Sequence, residues 1–334
     1  MRKLCLLLCV LSALLTVFIS VYTPTFASAS ATAEIAMELT TGTTLCERNA
    51  DAKLPMASTT KIMTAIIIIE DCNLDEEITV DDKAVGVEGS SIYLKKDEQI
   101  DVRDLLYGLM LRSGNDSAAA LAIHHSGSIE KFVEVMNSRA KQMGANNTSF
   151  ANPSGLPDEN HYTTARDLCR IACYAMRNET FKEVVGTKNY AGKFRSYINK
   201  NKMLTRCEGA NGVKTGYTLK AGRCLVSSCE RDGMDVVCVV LNCPEMYERS
   251  CDIFDDCFSK FSLVKIDENN VFMSDRVLCK LQNTCNFLIK KGENLDFNVK
   301  PIEEGKNQKS DGAVAILEIR GKNGLLFEGN LYSI

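Results

Sequence analysis

No two cysteines of this 334-residue chain are spaced Cys-x-x-Cys, and it has only three histidines. Both shortages argue against a zinc centre, which needs closely spaced thiolate or imidazole ligands. There is no basic stripe, and 39 Lys and Arg against 43 Asp and Glu give a formal charge of -4, so nucleic-acid binding is not expected. Internal repeats and low-complexity tracts are absent too. With 45% apolar and 25% charged residues the composition is globular, and the length suits two domains.

The first residues read as a secretory signal peptide over 1–29. Arg2 and Lys3 form the charged start, Leu4 to Val21 is apolar, and Ala27-Ser-Ala29 offers a small-residue cleavage site. Its removal takes away two positive charges and no negative ones, moving the formal charge from -4 to -6. Thirteen of the 15 cysteines remain after Ala29, an odd number at irregular spacings. Cys224, Cys229 and Cys238 lie in apolar strand-like runs, where a thiol behaves as a small hydrophobe. The expectation is mostly reduced core cysteines, with room for some disulfides.

Ile35 to Leu39 and Thr44 to Arg48 flank Thr40-Thr-Gly-Thr43, a strand–turn–strand signal. A long apolar helix is expected from Ser58. Asp101 precedes a capped helix, Asp116 to His125 is Ala-rich and helical, and Ser128 to Met143 is amphipathic with Gly144 as its stop. Thr164-Ala-Arg-Asp167 opens another helix, to Arg177. Gly222 to Cys229 and Val236 to Cys243 read as a β-hairpin, and Asp252 to Lys260 as a closing helix. Strands at both ends with helices between them indicate an antiparallel sheet covered by helices, with a helical subdomain inserted. From about Ser262, short apolar runs alternate with turns, the texture of a small all-β domain. The final residues, Gly324 to Ile334, read as a strand.

Three short motifs carry the chemistry. Ser58-Thr-Thr-Lys61 places a hydroxyl and an amine on one helical face. A serine is a weak nucleophile until a base takes its proton, and a lysine of lowered pKa is such a base. Ser113-Gly-Asn115 falls in the break between two helices, and Lys214-Thr-Gly216 falls just before the hairpin. Each alone is unremarkable as a helix cap or turn. The three in this order, with matching flanks, are not.

This set is the Ser-x-x-Lys, Ser-x-Asn, Lys-Thr-Gly pattern of serine β-lactamases and penicillin-binding proteins. Met56-Ala-Ser-Thr-Thr-Lys-Ile-Met-Thr-Ala65, Leu109-Met-Leu-Arg-Ser-Gly-Asn-Asp116, Phe150-Ala-Asn-Pro-Ser-Gly-Leu156 and Gly212-Val-Lys-Thr-Gly-Tyr-Thr-Leu-Lys-Ala-Gly222 resemble the D-alanyl-D-alanine carboxypeptidases of peptidase family S11. The resemblance spans roughly residues 34 to 258. It implies an α/β fold of the α+β kind: a β-lactamase/transpeptidase-like catalytic domain over 30–260, with a five-stranded antiparallel sheet, then a β-rich domain over 261–334. It implies no cofactor and no metal. The implied substrate is the peptidoglycan stem peptide, and β-lactam antibiotics are the implied covalent inhibitors.

In that reading Ser58 attacks the carbonyl between the two terminal D-alanines and Lys61 is the base. Ser113 relays a proton to the leaving amine, and Asn115 orients Lys61 and substrate. Lys214 and Thr215 hold the terminal carboxylate, joined by Arg249. Gly216 lets substrate lie against the strand, and the backbone N–H groups of Ser58 and Thr218 form the oxyanion hole. His161 is expected to pack its loop, and His124 and His125 to end a helix without chemistry. A class A β-lactamase would need a deacylating glutamate; Glu159 is present in the loop, but its flanks do not resemble that enzyme's. A peptidoglycan-binding module with a decayed site is countered by the intact motifs. Many members of the family end in an amphipathic membrane-surface helix. The strand-like ending here does not resemble one, so wall association, secretion or retention by the signal segment are the expected modes.

Overall fold

The computed structural model describes residues 31–302 and 312–334; the signal-peptide reading of 1–29 lies outside them. Strands β1 (Ala33–Glu38) and β2 (Thr44–Arg48) form the expected hairpin. One turn of 3-10 helix (Ala57–Thr60) then leads into α1 (Lys61–Asp71). Ser58 therefore sits in a tight turn ahead of the helix rather than inside it. Every residue from Lys61 to Ile68 is buried. A helix apolar all round has to be enclosed, and α1 is the central helix of the molecule.

A short ribbon of β3 (Glu77–Thr79) and β4 (Gln99–Asp101) precedes α2 (Val102–Leu111). The Asp101 carboxylate accepts from Asp104 N–H at 2.6 Å, the N-cap that the sequence predicts. Helix α3 (Asn115–Ser126) stops at Gly127, whose φ of 76° is left-handed and suits glycine. Ser128 caps α4 (Ile129–Gln142), and the Thr164 hydroxyl caps α5 (Ala165–Met176) by accepting from Asp167 N–H at 3.1 Å. Helix α6 (Glu179–Gly186), the ribbon β5 (Asn189–Ala191) and β6 (Ser196–Ile198), and the single turn α7 (Met203–Arg206) were not expected; each is too short to establish a period.

Strands β7 (Ala210–Thr218), β8 (Gly222–Arg231) and β9 (Met234–Leu241) complete a five-stranded antiparallel sheet of order β2-β1-β9-β8-β7. The β8–β9 turn is two residues, Asp232 and Gly233, with φ of 51° and 75°, the pairing that right-twisted hairpins favour. Helix α8 (Met246–Lys260) starts six residues earlier than its apolar pattern indicates. Side chains alternate across the sheet. Ile35, Val226, Val237 and Val239 join the core around α1 and α5, while Ala36, Leu225, Val236 and Cys238 face α8. Both faces are covered, which is why β8 and β9 read as continuous apolar runs rather than alternating ones.

From Phe261 onward the described chain is all-β. Strand β10 (Phe261–Ile266) pairs with β13 (Cys285–Lys290). A second sheet holds β11 (Val271–Ser274), β12 (Val277–Leu281), β16 (Gly324–Ser333), β15 (Ala313–Gly321) and β14 (Asp296–Pro301), in that order. Ile266, Phe287, Leu317, Ile319 and Leu331 form its core.

Candidate active site

The start of α1, the α2–α3 break and the edge strand β7 converge on one cleft of about 480 Å³, within the range of small-molecule sites. Ser58, Ser113, Thr215 and Gly216 line it. Lys61, Asn115 and Lys214 are buried beside it. Three motifs separated by up to about 160 residues of chain thus meet in space.

Ser58 follows Ala57, a non-glycine residue at φ +48°, a conformation that costs energy and is found where surroundings over-determine it. Lys61 Nζ lies 3.1 Å from Ser58 Oγ, 2.6 Å from Asn115 Oδ1 and 2.6 Å from the Ser154 carbonyl oxygen. Burial, and then the charge of Lys214, push the Lys61 pKa well down, against the opposing pull of Asp116. A neutral amine has two N–H bonds and one lone pair. Asn115 Oδ1 and the Ser154 carbonyl accept hydrogen bonds and donate none, so they take both N–H bonds. The lone pair is then directed at Ser58 Oγ, which is the orientation a base requires.

Ser154 was not expected at the site. It is positioned by Asn152, whose Oδ1 accepts from the N–H groups of Gly155 and Leu156 and from the N–H and hydroxyl of Ser154, at 2.7–3.2 Å. His161 underpins the same loop, as expected of a packing histidine. Its Nδ1 accepts from Ala151 N–H at 3.0 Å, so its Nε2–H donates to Thr60 Oγ1 at 2.7 Å. Burial holds its pKa down to about 4, so the ring is neutral.

Ser113 has φ +64° and projects from the helix break into the cleft. The Asn115 side-chain amide donates to the Glu88 carbonyl at 2.5 Å, and the neighbouring Asp116 carboxylate accepts from Ser91 Oγ and from the N–H groups of Ile92 and Leu94. These bonds hold residues 88–94 against the site and bring Ser90 to the cleft wall. The adjacency of Asp116 to Asn115 was the available signal for that segment.

On β7, Lys214 is enclosed and its Nζ donates to the Thr215 carbonyl at 2.9 Å. Burial and the Lys200 charge lower its pKa to about 7. A Cβ at Gly216 would stand 3.1 Å from Met56 O and Ser58 N. The glycine therefore makes room for the turn that carries the serine, a different reason from the expected one.

Two expectations are corrected. The Arg223 carbonyl accepts from Cys243 N–H, so the backbone polar groups of Arg223 face β9 and not β7. Its cross-strand partner Tyr217 must then direct its own N–H to the free edge of β7, and the next residue, Thr218, directs its N–H to Gly222 on β8. Tyr217, not Thr218, presents an unspent N–H at the cleft. Arg249 does not line the cleft either. It forks onto the buried Glu34 on β1 at 2.7 and 2.9 Å, an ion pair that Arg48 shares. The cations that do line the cleft are Lys200 and Arg223. Glu159 is exposed and lies outside the cleft-lining set. His124 and His125, at the end of α3, sit beside Glu76 and Asp71.

A serine hydroxyl against a buried lysine, in a cationic cleft at the edge of an antiparallel sheet, defines a serine-type hydrolase. Comparison with known proteins sharpens this. Residues 20–245 match the Peptidase S11 family of D-alanyl-D-alanine carboxypeptidases. The chain is 31% identical over 296 residues to the D-alanyl-D-alanine carboxypeptidase DacF of Bacillus subtilis, covering 82% of this chain and 76% of that protein. It is 38% identical over 239 residues to a D-alanyl-D-alanine carboxypeptidase of Streptomyces sp. strain K15, covering 65% and 82%. Among solved structures, penicillin-binding protein 5 from Haemophilus influenzae superposes with a TM-score of 0.74 at 25% identity, covering 92% of this chain and 97% of that one. The carboxypeptidase DacD from Francisella tularensis gives a TM-score of 0.69 at 26% identity, covering 91% and 92%. The chain belongs to the S11 family of serine-type D-alanyl-D-alanine carboxypeptidases.

Proposed function

We propose that this carboxypeptidase removes the terminal D-alanine from peptidoglycan stem pentapeptides through an acyl-enzyme on Ser58, and that penicillins acylate the same serine. The observation that carries the reading is the buried Lys61 amine, 3.1 Å from Ser58 Oγ and 2.6 Å from both Asn115 Oδ1 and the Ser154 carbonyl oxygen.

Lys61 takes the Ser58 proton as Oγ attacks the penultimate D-alanine carbonyl. The N–H groups of Ser58 and Tyr217 stabilise the resulting oxyanion. The tetrahedral intermediate collapses and expels the D-alanine amine, which receives a proton by way of Ser113. Asn115 keeps Lys61 aligned. Thr215 and the positive charge of Lys214 hold the terminal carboxylate, assisted by the cationic cleft wall. A water then attacks the ester, returning Ser58 and releasing the shortened peptide. With a penicillin, attack opens the strained ring amide, but the leaving amine stays tethered to the acyl group. With Glu159 exposed and no carboxylate among the described cleft-lining residues, that ester is expected to persist, which disfavours β-lactamase turnover.

The proposed setting is extracytoplasmic, with 1–29 as a removable signal, 30–260 as the catalytic domain and 261–334 as a distinct β domain. The change from mixed to all-β structure at Phe261 supports that division. Release of D-alanine from a synthetic stem pentapeptide, absent in Ser58→Ala, tests the reading. No release from the folded wild-type protein would overturn it.

A further inference from the structure

Seven cysteines crowd into one layer, between the outer face of the main sheet and α8: Cys46, Cys207, Cys229, Cys238, Cys243, Cys251 and Cys257. Among the described residues no group of three or more His, Cys, Asp or Glu is placed to hold a metal ion. Strand register explains two of the seven. Ala36 on β1 lies opposite both Cys46 on β2 and Cys238 on β9, so these three side chains form a row on the face that α8 covers. Cys257 descends from α8 onto this row, in the same apolar cluster as Cys46 and beside its thiol. Earlier on the same helix, Cys251 lies beside Cys207, which follows α7, where Arg206 pairs with Glu248 on α8 at 2.8 Å.

These two contacts share a further property. In each, one thiol is partly exposed (Cys46, Cys251) and the other is buried (Cys257, Cys207). Thiol–disulfide exchange needs an accessible attacking sulfur and a neighbour that resolves the mixed disulfide. The other close thiols lack this division. Cys169 and Cys173 touch one turn apart on α5, and both are buried. Cys229 also touches Cys207, but it is fully enclosed and its thiol donates to the Glu208 carbonyl at 3.2 Å.

We propose that Cys46–Cys257 and Cys207–Cys251 are two redox-convertible cross-links that clamp α8 to β2 and to the α7 segment. The oxidant is an external disulfide, either a low-molecular-weight one or the disulfide of an exchange protein. The Cys46 thiolate attacks one of its sulfurs, forming a mixed disulfide and expelling one thiolate. Cys257 loses its proton, attacks the Cys46 sulfur and expels the second. The protein gives up two protons and two electrons per bond, and the external disulfide is reduced to two thiols. Cys251 and Cys207 follow the same course. The second cross-link joins two elements that flank the cleft, since Lys200 precedes α7 and Tyr247 opens α8. Oxidation therefore braces the part of the cleft wall that Lys200 and Tyr247 form.

The test treats the folded full chain with oxidised glutathione, blocks remaining thiols after unfolding, and reads intact mass and non-reduced peptide maps. The expected product has lost four hydrogens and carries the 46–257 and 207–251 linked peptides. Cys169 and Cys173 stay alkylatable. The thermal midpoint rises by roughly 5 °C or more and falls back with dithiothreitol. Cys257→Ala removes the first linkage and leaves the second; Cys251→Ser, at a partly exposed site, does the reverse. Mixed disulfides that never resolve, other pairings, or a full complement of alkylatable thiols would overturn the proposal.

Discussion

Alanine at position 216 should damage the nucleophile's turn rather than the substrate's seat. The added Cβ stands 3.1 Å from Met56 O, 3.1 Å from Ser58 N and 3.2 Å from Ala57 Cβ. Carbon contacts normally relax to about 3.5–4.0 Å, so β7 and the turn must part by about 0.4 Å. The turn has little slack, because Ala57 already holds φ +48°. Overpacking of this size costs about 1–3 kcal/mol, and the stiffer unfolded chain of Gly216→Ala returns at most about 1 kcal/mol. The thermal midpoint should fall by roughly 2–6 °C. The same displacement moves the Ser58 N–H and Oγ relative to Lys61. Since a misplacement of about 1 Å can cost about 100-fold in rate, acylation should slow by about 10-fold. Stopped-flow acylation with a fluorescent penicillin gives the rate, and calorimetry gives the midpoint. If both stay at wild-type values while KM for a D-alanyl peptide rises, the glycine serves the substrate and the packing argument is wrong.

Proline at 217 removes an N–H that faces the free edge of β7 and leaves the β7–β8 ladder intact, so Tyr217→Pro should keep its fold by circular dichroism and lose about 100-fold or more in acylation rate. Thr218→Ala should acylate within about twofold of wild type; the reverse pattern would restore Thr218 as the oxyanion donor. Arg249→Leu strips one partner from the buried Glu34 and should lower stability by about 1–3 kcal/mol in a denaturant titration, with KM for the peptide nearly unchanged; a large KM effect at normal stability would return Arg249 to the substrate. The pH profile of kcat/KM should be bell-shaped. The acid limb rises as Lys61 loses its proton, and the alkaline limb falls above about 7 as Lys214 loses the charge that holds the substrate carboxylate. The sign for stability is separate: with Lys214 depressed from 10.5 to about 7, the unfolded chain binds more protons between those values, so this group makes stability increase with pH across that window.

Much of this was legible in the sequence. The three motifs name the polar groups of the cleft because nucleophile, base and carboxylate anchor are fixed by residue type and local setting. The hairpin turns, helix caps and both covered sheet faces follow from short-range rules. The misreadings share one physical origin, long-range geometry. Thr218 was expected to supply the oxyanion N–H from the family resemblance alone; which residue of β7 directs its N–H to the free edge depends on the parity of its pairing with β8, which neither strand's residues reveal alone. Arg249 read as a substrate ligand because Glu34, 215 residues away, is its partner only in the folded sheet. Ser154 contributes a carbonyl, a group every residue has, so nothing in its side chain marked it. The start of α8 lay hidden in Met246 to Cys251, where the apolar face is formed by residues that also border the cleft and α7.

The account rests on a covalent bond to one oxygen. Intact-mass analysis after incubation with benzylpenicillin, followed by peptide mapping, measures it directly. The account predicts one stable penicilloyl adduct, located on the peptide containing Ser58 and absent from Ser58→Ala. An unmodified wild-type protein, or an adduct that persists in Ser58→Ala, would contradict it.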